Sequence, residues 1–258
     1  MKAIAKRGVV LLVVFALPLC VVLYRDTLAV FLWEKMQWAR GALFLTSSPE
    51  LAFEIGNMHF SEERYDLATA YSSYVRAIAL DQDMLGPRYQ LGRLAFLRGD
   101  FAAAAALINE ELAIHPEFKR AFYMRGLIRG YAGNLIGAED DFKEFLRWDG
   151  KSWAGHNDLG WIYFLQGNFK EAERITAAGL ILYPNNPWLL TTHGAALLNL
   201  GRTREAEDSF VAASVYAEQL TPRDWGGAYP GNDPALYSRG LLEMRNVIER
   251  NLALARGE

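Results

Sequence analysis

Four histidines (His59, His115, His156 and His193), one cysteine (Cys20) and the acidic triplet Glu139, Asp140 and Asp141 are the residues of this 258-residue sequence that could ligate a metal, attack an electrophile or exchange protons. Each chemistry needs convergence. The histidines fall at four different places within the repeating frame set out below, so they form no ligand cluster. The acidic triplet reads as the first turn of a helix, where negative charge is stabilised by the helix dipole, and a solvated face is its simplest account. Cys20 lies inside an apolar run, which excludes a disulfide framework and a cysteine-based zinc site. There is no glycine-rich phosphate loop and no nucleophile elbow. The sequence therefore predicts no catalytic residue, no metal and no cofactor.

The elements that would carry any site show themselves through periodicity. Gly92, Gly126, Gly160 and Gly194 recur every 34 residues, and Gly99, Gly133, Gly167 and Gly201 repeat that interval seven positions later. Ala70, Ala104, Ala138, Ala172 and Ala206 carry the interval through five units, each followed four residues on by Tyr74, Ile108, Phe142, Thr176 or Phe210. Pro116 and Pro184 end the second and fourth units. This pattern resembles the tetratricopeptide repeat, a helix–turn–helix unit, and the fourth unit matches best through Leu159, Gly160, Tyr163, Gly167, Phe169, Ala172 and Pro184. His156 stands where tryptophan is usual and Thr176 where a larger side chain is usual. In the first unit the turn around SEERYD is two residues longer and lacks glycine. The expected fold is an all-α solenoid with units at 49–84, 85–118, 119–152, 153–186 and 187–220. Within each unit, glycine and alanine let two helices approach, the turn glycine adopts a left-handed conformation, and Asp100, Asn134 or Asn168 caps the second helix.

The resemblance places first helices along a concave surface. The residues it assigns there are Phe53, Asn57 and Phe60; Tyr89, Arg93 and Phe96; Arg120, Tyr123, Leu127 and Tyr131; Asn157, Trp161 and Phe164; Trp188 and Thr191. So many rings on one surface suit a peptide groove. The lysine-rich clamp that some members use for a C-terminal carboxylate is missing, because Phe53 and Tyr89 stand where a clamp lysine would be. The first 43 residues hold six of the Lys/Arg and two of the Asp/Glu, so the remainder carries 21 basic against 28 acidic residues, a balance that disfavours nucleic acid and suits a protein partner.

Lys2, Lys6 and Arg7 precede a 17-residue apolar run from Gly8 to Tyr24, the lower limit for a spanning helix. No small-residue cleavage site follows it, so residues 1–25 read as an uncleaved anchor rather than a signal peptide. The basic residues predict a cytoplasmic N-terminus and extracytoplasmic repeats, periplasmic in a bacterium. Residues 26–48, with Trp33 and Trp38, read as a juxtamembrane connector helix. At the other end, 221–237 reads as non-helical because it concentrates proline, glycine and aromatic residues, and Asp233 and Pro234 open a terminal capping helix. Leu236, Leu241, Leu242, Met244, Val247, Ile248 and Leu252 would form its inner face, with Arg239, Glu243, Arg245, Glu249 and Arg250 outside. Trp225 and Tyr229 are expected to pin the preceding loop near Trp188. Together these features predict a non-catalytic, membrane-tethered interaction scaffold, the alternative being a chaperone-like or regulatory subunit of an envelope assembly or secretion machine.

Overall fold

The computed structural model describes residues 23–229 and 231–258; the predicted anchor, apart from Leu23, Tyr24 and Arg25, lies outside them. Among the described residues all regular structure is helical, and no helix is long and apolar enough to cross a membrane. The chain divides into two compact units, Met1–Gln90 and Leu91–Glu258.

The first unit holds α1 (helical at 23–34), α2 (Ala39–Leu45), α3 (Pro49–His59), α4 (Leu67–Leu80) and the start of α5 (Pro87–Leu97). Residues 26–48 are thus two helices with a break between them, where Gln37 takes a positive φ of 53°, and not one connector helix. Asp26 of α1 accepts from the backbone N–H of Ser47 at 2.6 Å and from its hydroxyl at 2.5 Å, and the Trp33 indole donates to Glu54 at 3.2 Å. These bonds tie α1 to the start of the helix pair α3–α4. A Cβ built on Gly56 would lie 2.5 Å from the Tyr74 ring, so only glycine admits that ring between the two helices. The longer turn leaves this contact in place because Tyr65 adopts φ 43° and Asp66 caps α4 through the Thr69 N–H.

The second unit continues α5 and adds α6 (Phe101–Ile114), α7 (Lys119–Tyr131), α8 (Leu135–Trp148), α9 (Trp153–Leu165), α10 (Phe169–Leu182), α11 (Pro187–Asn199), α12 (Thr203–Glu218), α13 (Pro222–Ala228) and α14 (Tyr237–Arg256). Each helix from α6 to α12 packs on the next, and α7, α9 and α11 also touch in series, so first helices form one continuous layer. The repeating alanines are fully buried, and the turn glycines take φ between 73° and 84°. Asp100 and Asn134 cap their helices through side-chain oxygens; Asn168 makes no such bond. Thr176, small for its position, meets Gly160 so closely that an added Cβ would lie 2.5 Å from its methyl group. Its hydroxyl donates to the Ala172 carbonyl at 2.7 Å and therefore accepts from His193 Nδ1 at 3.0 Å.

Asp141 is not on a solvated face. It belongs to the second turn of α8, its side chain is 3% exposed, and Arg125 and Arg129 clasp it at 2.7 and 2.8 Å. Residues 222–228, expected to be non-helical, form α13. Pro222 occupies the first helical position, where its missing N–H costs nothing, and Thr221 with Asp224 makes a reciprocal capping box. Composition hid this start signal. The glycines of the segment serve close approach: Gly226 leaves room for the Tyr237 ring, and Gly240 of α14 leaves room for Trp225.

Asp233 caps a short 3-10 turn, Pro234–Leu236, from which α14 follows. Helix α14 covers α12 with Leu241, Ile248 and Leu252, while Leu242 faces solvent. Arg245, expected outside, turns inward and donates to the carbonyls of Ala217, Glu218 and Leu220 at 3.0–3.1 Å. It thereby satisfies the exposed carbonyl end of α12.

Candidate functional site

In the first unit, Asn57 Oδ1 accepts from the Tyr74 hydroxyl at 3.0 Å and from Gln90 Nε2 at 2.8 Å, which joins α3, α4 and α5. Phe53 rests on the Tyr74 ring and beside Gly86. Phe60, expected on an open surface, is 7% exposed and terminates α3 as a core residue, because it closes the helix at its C-cap. Tyr89 is partly buried and engaged.

The second unit gathers most of the predicted rings. Phe96 meets Phe101 and Tyr131 with ring centres 5.7 and 5.4 Å apart, and Tyr131 meets Trp161 at 5.3 Å. A further series runs from Trp153 to Trp188 at 5.2 Å, from Trp188 to Tyr229 at 6.3 Å, and from Tyr229 to Trp225 at 4.7 Å. The Trp188 indole donates to the Tyr229 hydroxyl at 2.9 Å. Tyr131 remains 58% exposed and Tyr229 41% exposed, although each has ring neighbours. Phe164 pairs with Phe169 across its own turn, and Leu127 packs against the core. Arg120 is exposed, Arg93 is partly buried and engaged, and Thr191 bonds back to the Pro187 carbonyl.

Tyr123 is a different kind of residue. Its ring packs on Phe142 and Phe145, and its hydroxyl donates to Asp158 on α9 at 2.5 Å. Asp158 also accepts from Asn157 Nδ2 at 3.0 Å, and Asn157 in turn accepts from the Thr192 hydroxyl at 2.8 Å. Burial pushes the Asp158 carboxyl up to about 6, against the opposing pull of the Tyr123 and Asn157 hydrogen bonds. Burial raises the Tyr131 and Tyr229 hydroxyls as well, and the Asp158 charge adds to both, so the three groups share one neighbourhood.

Asp158 was missed in the sequence, as were Phe101 and Trp153. Its signal is faint: in HNDLGW, the residue three before Trp161 shares that ring's helix face, yet an acidic side chain there reads as surface charge. Phe101 and Trp153 sit at helix starts, outside the positions that the repeat pattern assigns to the surface. His156 donates Nδ1–H to the Ser152 carbonyl at 2.8 Å and acts as a filler beside Gly179.

Tetratricopeptide-repeat family models match residues 123–187 and 85–110. No curated protein matches the sequence. Among solved structures, a tetratricopeptide repeat protein from Parabacteroides merdae ATCC 43184 is similar at 19% identity and a TM-score of 0.61, covering 91% of this chain and 98% of that one. MamA is similar at 17% identity and a TM-score of 0.58, over 66% of this chain and 92% of MamA. YrrB, described as a protein of this class with an unusual peptide-binding site, is similar at 19% identity and a TM-score of 0.52, over 73% of this chain and 99% of YrrB. Residues 85–110 and 123–187 therefore carry tetratricopeptide repeats, and the described residues adopt an all-α solenoid fold like that of the solved tetratricopeptide repeat protein.

Proposed function

We propose that this protein is a non-catalytic, membrane-tethered scaffold that binds a partner peptide or protein on the aromatic surface of its second unit. The observation that carries the reading is the exposure of Tyr131 at 58% in the middle of a series of rings contributed by α5, α6, α7 and α9. Rings that merely filled space between repeats would be sealed by their neighbours, whereas this one offers a face to a ligand. The fold supports the same reading, since a layer of first helices presents side chains from several repeats to one extended segment.

Tethering is proposed from the three basic residues before the apolar run at Gly8–Tyr24. It is supported by the apolar side chains that follow in the first unit: Tyr24, Phe31, Trp38 and Phe44 are 63%, 50%, 54% and 84% exposed. Aromatic residues of this kind favour the membrane interface. The N-terminus would be cytoplasmic and the repeats extracytoplasmic. Full-length protein should stay with membranes through a high-salt wash, and its N-terminal sequence should begin at or near Met1; a start beyond Tyr24 would contradict the anchor. For the binding surface, partners co-purified from detergent-solubilised membranes should be lost with Tyr131→Ala and Trp161→Ala together while the protein stays folded. Unchanged recovery would contradict it.

A further inference from the structure

Asp158 is a partly buried carboxylate of α9 whose hydrogen-bond partners are both neutral. Tyr123 donates to one oxygen and Asn157 to the other, and among the described residues no arginine, lysine or histidine pairs with it. Asp141 shows what the same chain does with a structural carboxylate, which it encloses between Arg125 and Arg129. A carboxylate withdrawn from water without a cation is costly unless something else supplies one. Each Asp158 oxygen keeps a lone pair after its neutral bond is made.

The surroundings select the sign of what completes the site. Trp161 lies three residues on along α9 and so shares the Asp158 side of the helix, with Tyr131 against its ring at 5.3 Å. Tyr229 and Tyr131 both feel the Asp158 charge, and Tyr229 is held by Trp188. Ring faces attract cations, and the molecule already uses that attraction where Lys119 Nζ sits 3.2 Å from the centre of the Trp148 ring. An acidic side chain or a peptide carboxylate would face Asp158 and a chain whose residues beyond position 43 carry 21 basic against 28 acidic groups. An apolar side chain would desolvate the carboxylate further and leave it unpaired.

We propose that Asp158, with the faces of Tyr131, Trp161 and Tyr229 around it, receives the basic side chain of a lysine or arginine in the bound peptide. This rests on the partner-binding reading given above and adds the charge of the partner. Neither the groove rings alone nor the repeat fold requires it, since apolar rings serve neutral ligands equally well.

The test uses full-length protein in detergent micelles and an array of N-acetylated, C-amidated decapeptides sharing a common set of random flanks. The central residue is lysine, arginine, norleucine or glutamate. Wild-type protein should favour lysine or arginine over norleucine by about tenfold, the range expected of a desolvated ion pair with ring contacts. Asp158→Asn should reduce that preference to about twofold or less while still capturing peptides, because the Asn oxygen can accept from Tyr123 and no buried charge remains. Tyr131→Leu, at a position 58% exposed, should lower the same preference without touching the carboxylate. Capture of peptides with no basic preference, or a preference unchanged by Asp158→Asn, would overturn this inference and leave the binding surface standing. No peptide captured by any folded variant would overturn both.

Discussion

Trp188 and Tyr229, 41 residues apart in sequence, are joined by an indole-to-hydroxyl hydrogen bond of 2.9 Å, and through it α13 is fastened to the first helix of the last repeat. Burial, with the Asp158 charge second, keeps the Tyr229 hydroxyl protonated across the physiological range, so this acceptor does not switch with pH. Tyr229→Phe removes the acceptor and leaves the ring. It should cost about 0.5–1 kcal/mol locally and raise hydrogen exchange in residues 224–229 severalfold, with α9 and α10 unaffected. Exchange in 224–229 that is already as fast as in an unfolded chain would show the segment to be held by nothing.

The Asp158 carboxyl predicts a pH signature. Its folded pKa, about 6, lies above the value near 3.9 of an unfolded aspartate, so between those values the folded state holds the extra proton. This group therefore opposes folding above pH 6 and ceases to do so as pH falls toward 4. Asp26, Asp66 and Asp224 have the opposite sign: hydrogen bonds to them, chiefly from Ser47, Thr69 and Thr221, lower their pKa, so their contribution is lost in acid. The clean observable is the difference between Asp158→Asn and wild type. The variant should be about 1–3 kcal/mol more stable at pH 7.5 and equal to wild type near pH 4 in urea titrations. A difference that does not change with pH would contradict the account.

Gly160 faces the Thr176 methyl group with no room for a side chain. Gly160→Leu should therefore cost more than about 3 kcal/mol and abolish the cooperative melt of the second unit. Gly227, beside which no atom would meet an added Cβ, is the control, and Gly227→Ala should shift the melt little.

How far the sequence reached depends on what kind of contact was involved. Gly160 against Thr176 and Gly194 against Phe210 recur at fixed spacing because each repeat solves the same packing problem, so a single chain displays the solution several times over. The Asp141 clasp occurs once. Nothing in the spacing of Arg129 said that it would reach the Asp141 carboxylate on the paired helix. The capping box of α13 was legible in principle, as Thr221 and Asp224 stand three apart, but the three glycines and three prolines of 221–237 outweighed it. Asp158 was the hardest to find. Its environment is made by Tyr123 from the preceding repeat and by rings from α7, α9 and α13, which no local pattern brings together.

Tyr123 and Tyr131, both expected to line the surface, should separate on mutation. Tyr123→Ala removes a ring packed on Phe142 and Phe145 together with a donor to Asp158, and should cost about 3–4 kcal/mol. Tyr131→Ala, at an exposed ring, should cost less than about 1 kcal/mol. Similar losses at the two positions would mean that Tyr131 is a packing residue too.

Partner contact at Tyr131 is tested by site-specific photo-crosslinking in intact cells, with a benzophenone side chain placed at Tyr131 and, in a parallel strain, at Ile181, which is 83% exposed on the second helix of a repeat. A discrete adduct is expected from position 131 that disappears when Trp161→Ala is added, and none from position 181. Adducts from 181 with none from 131 would contradict it.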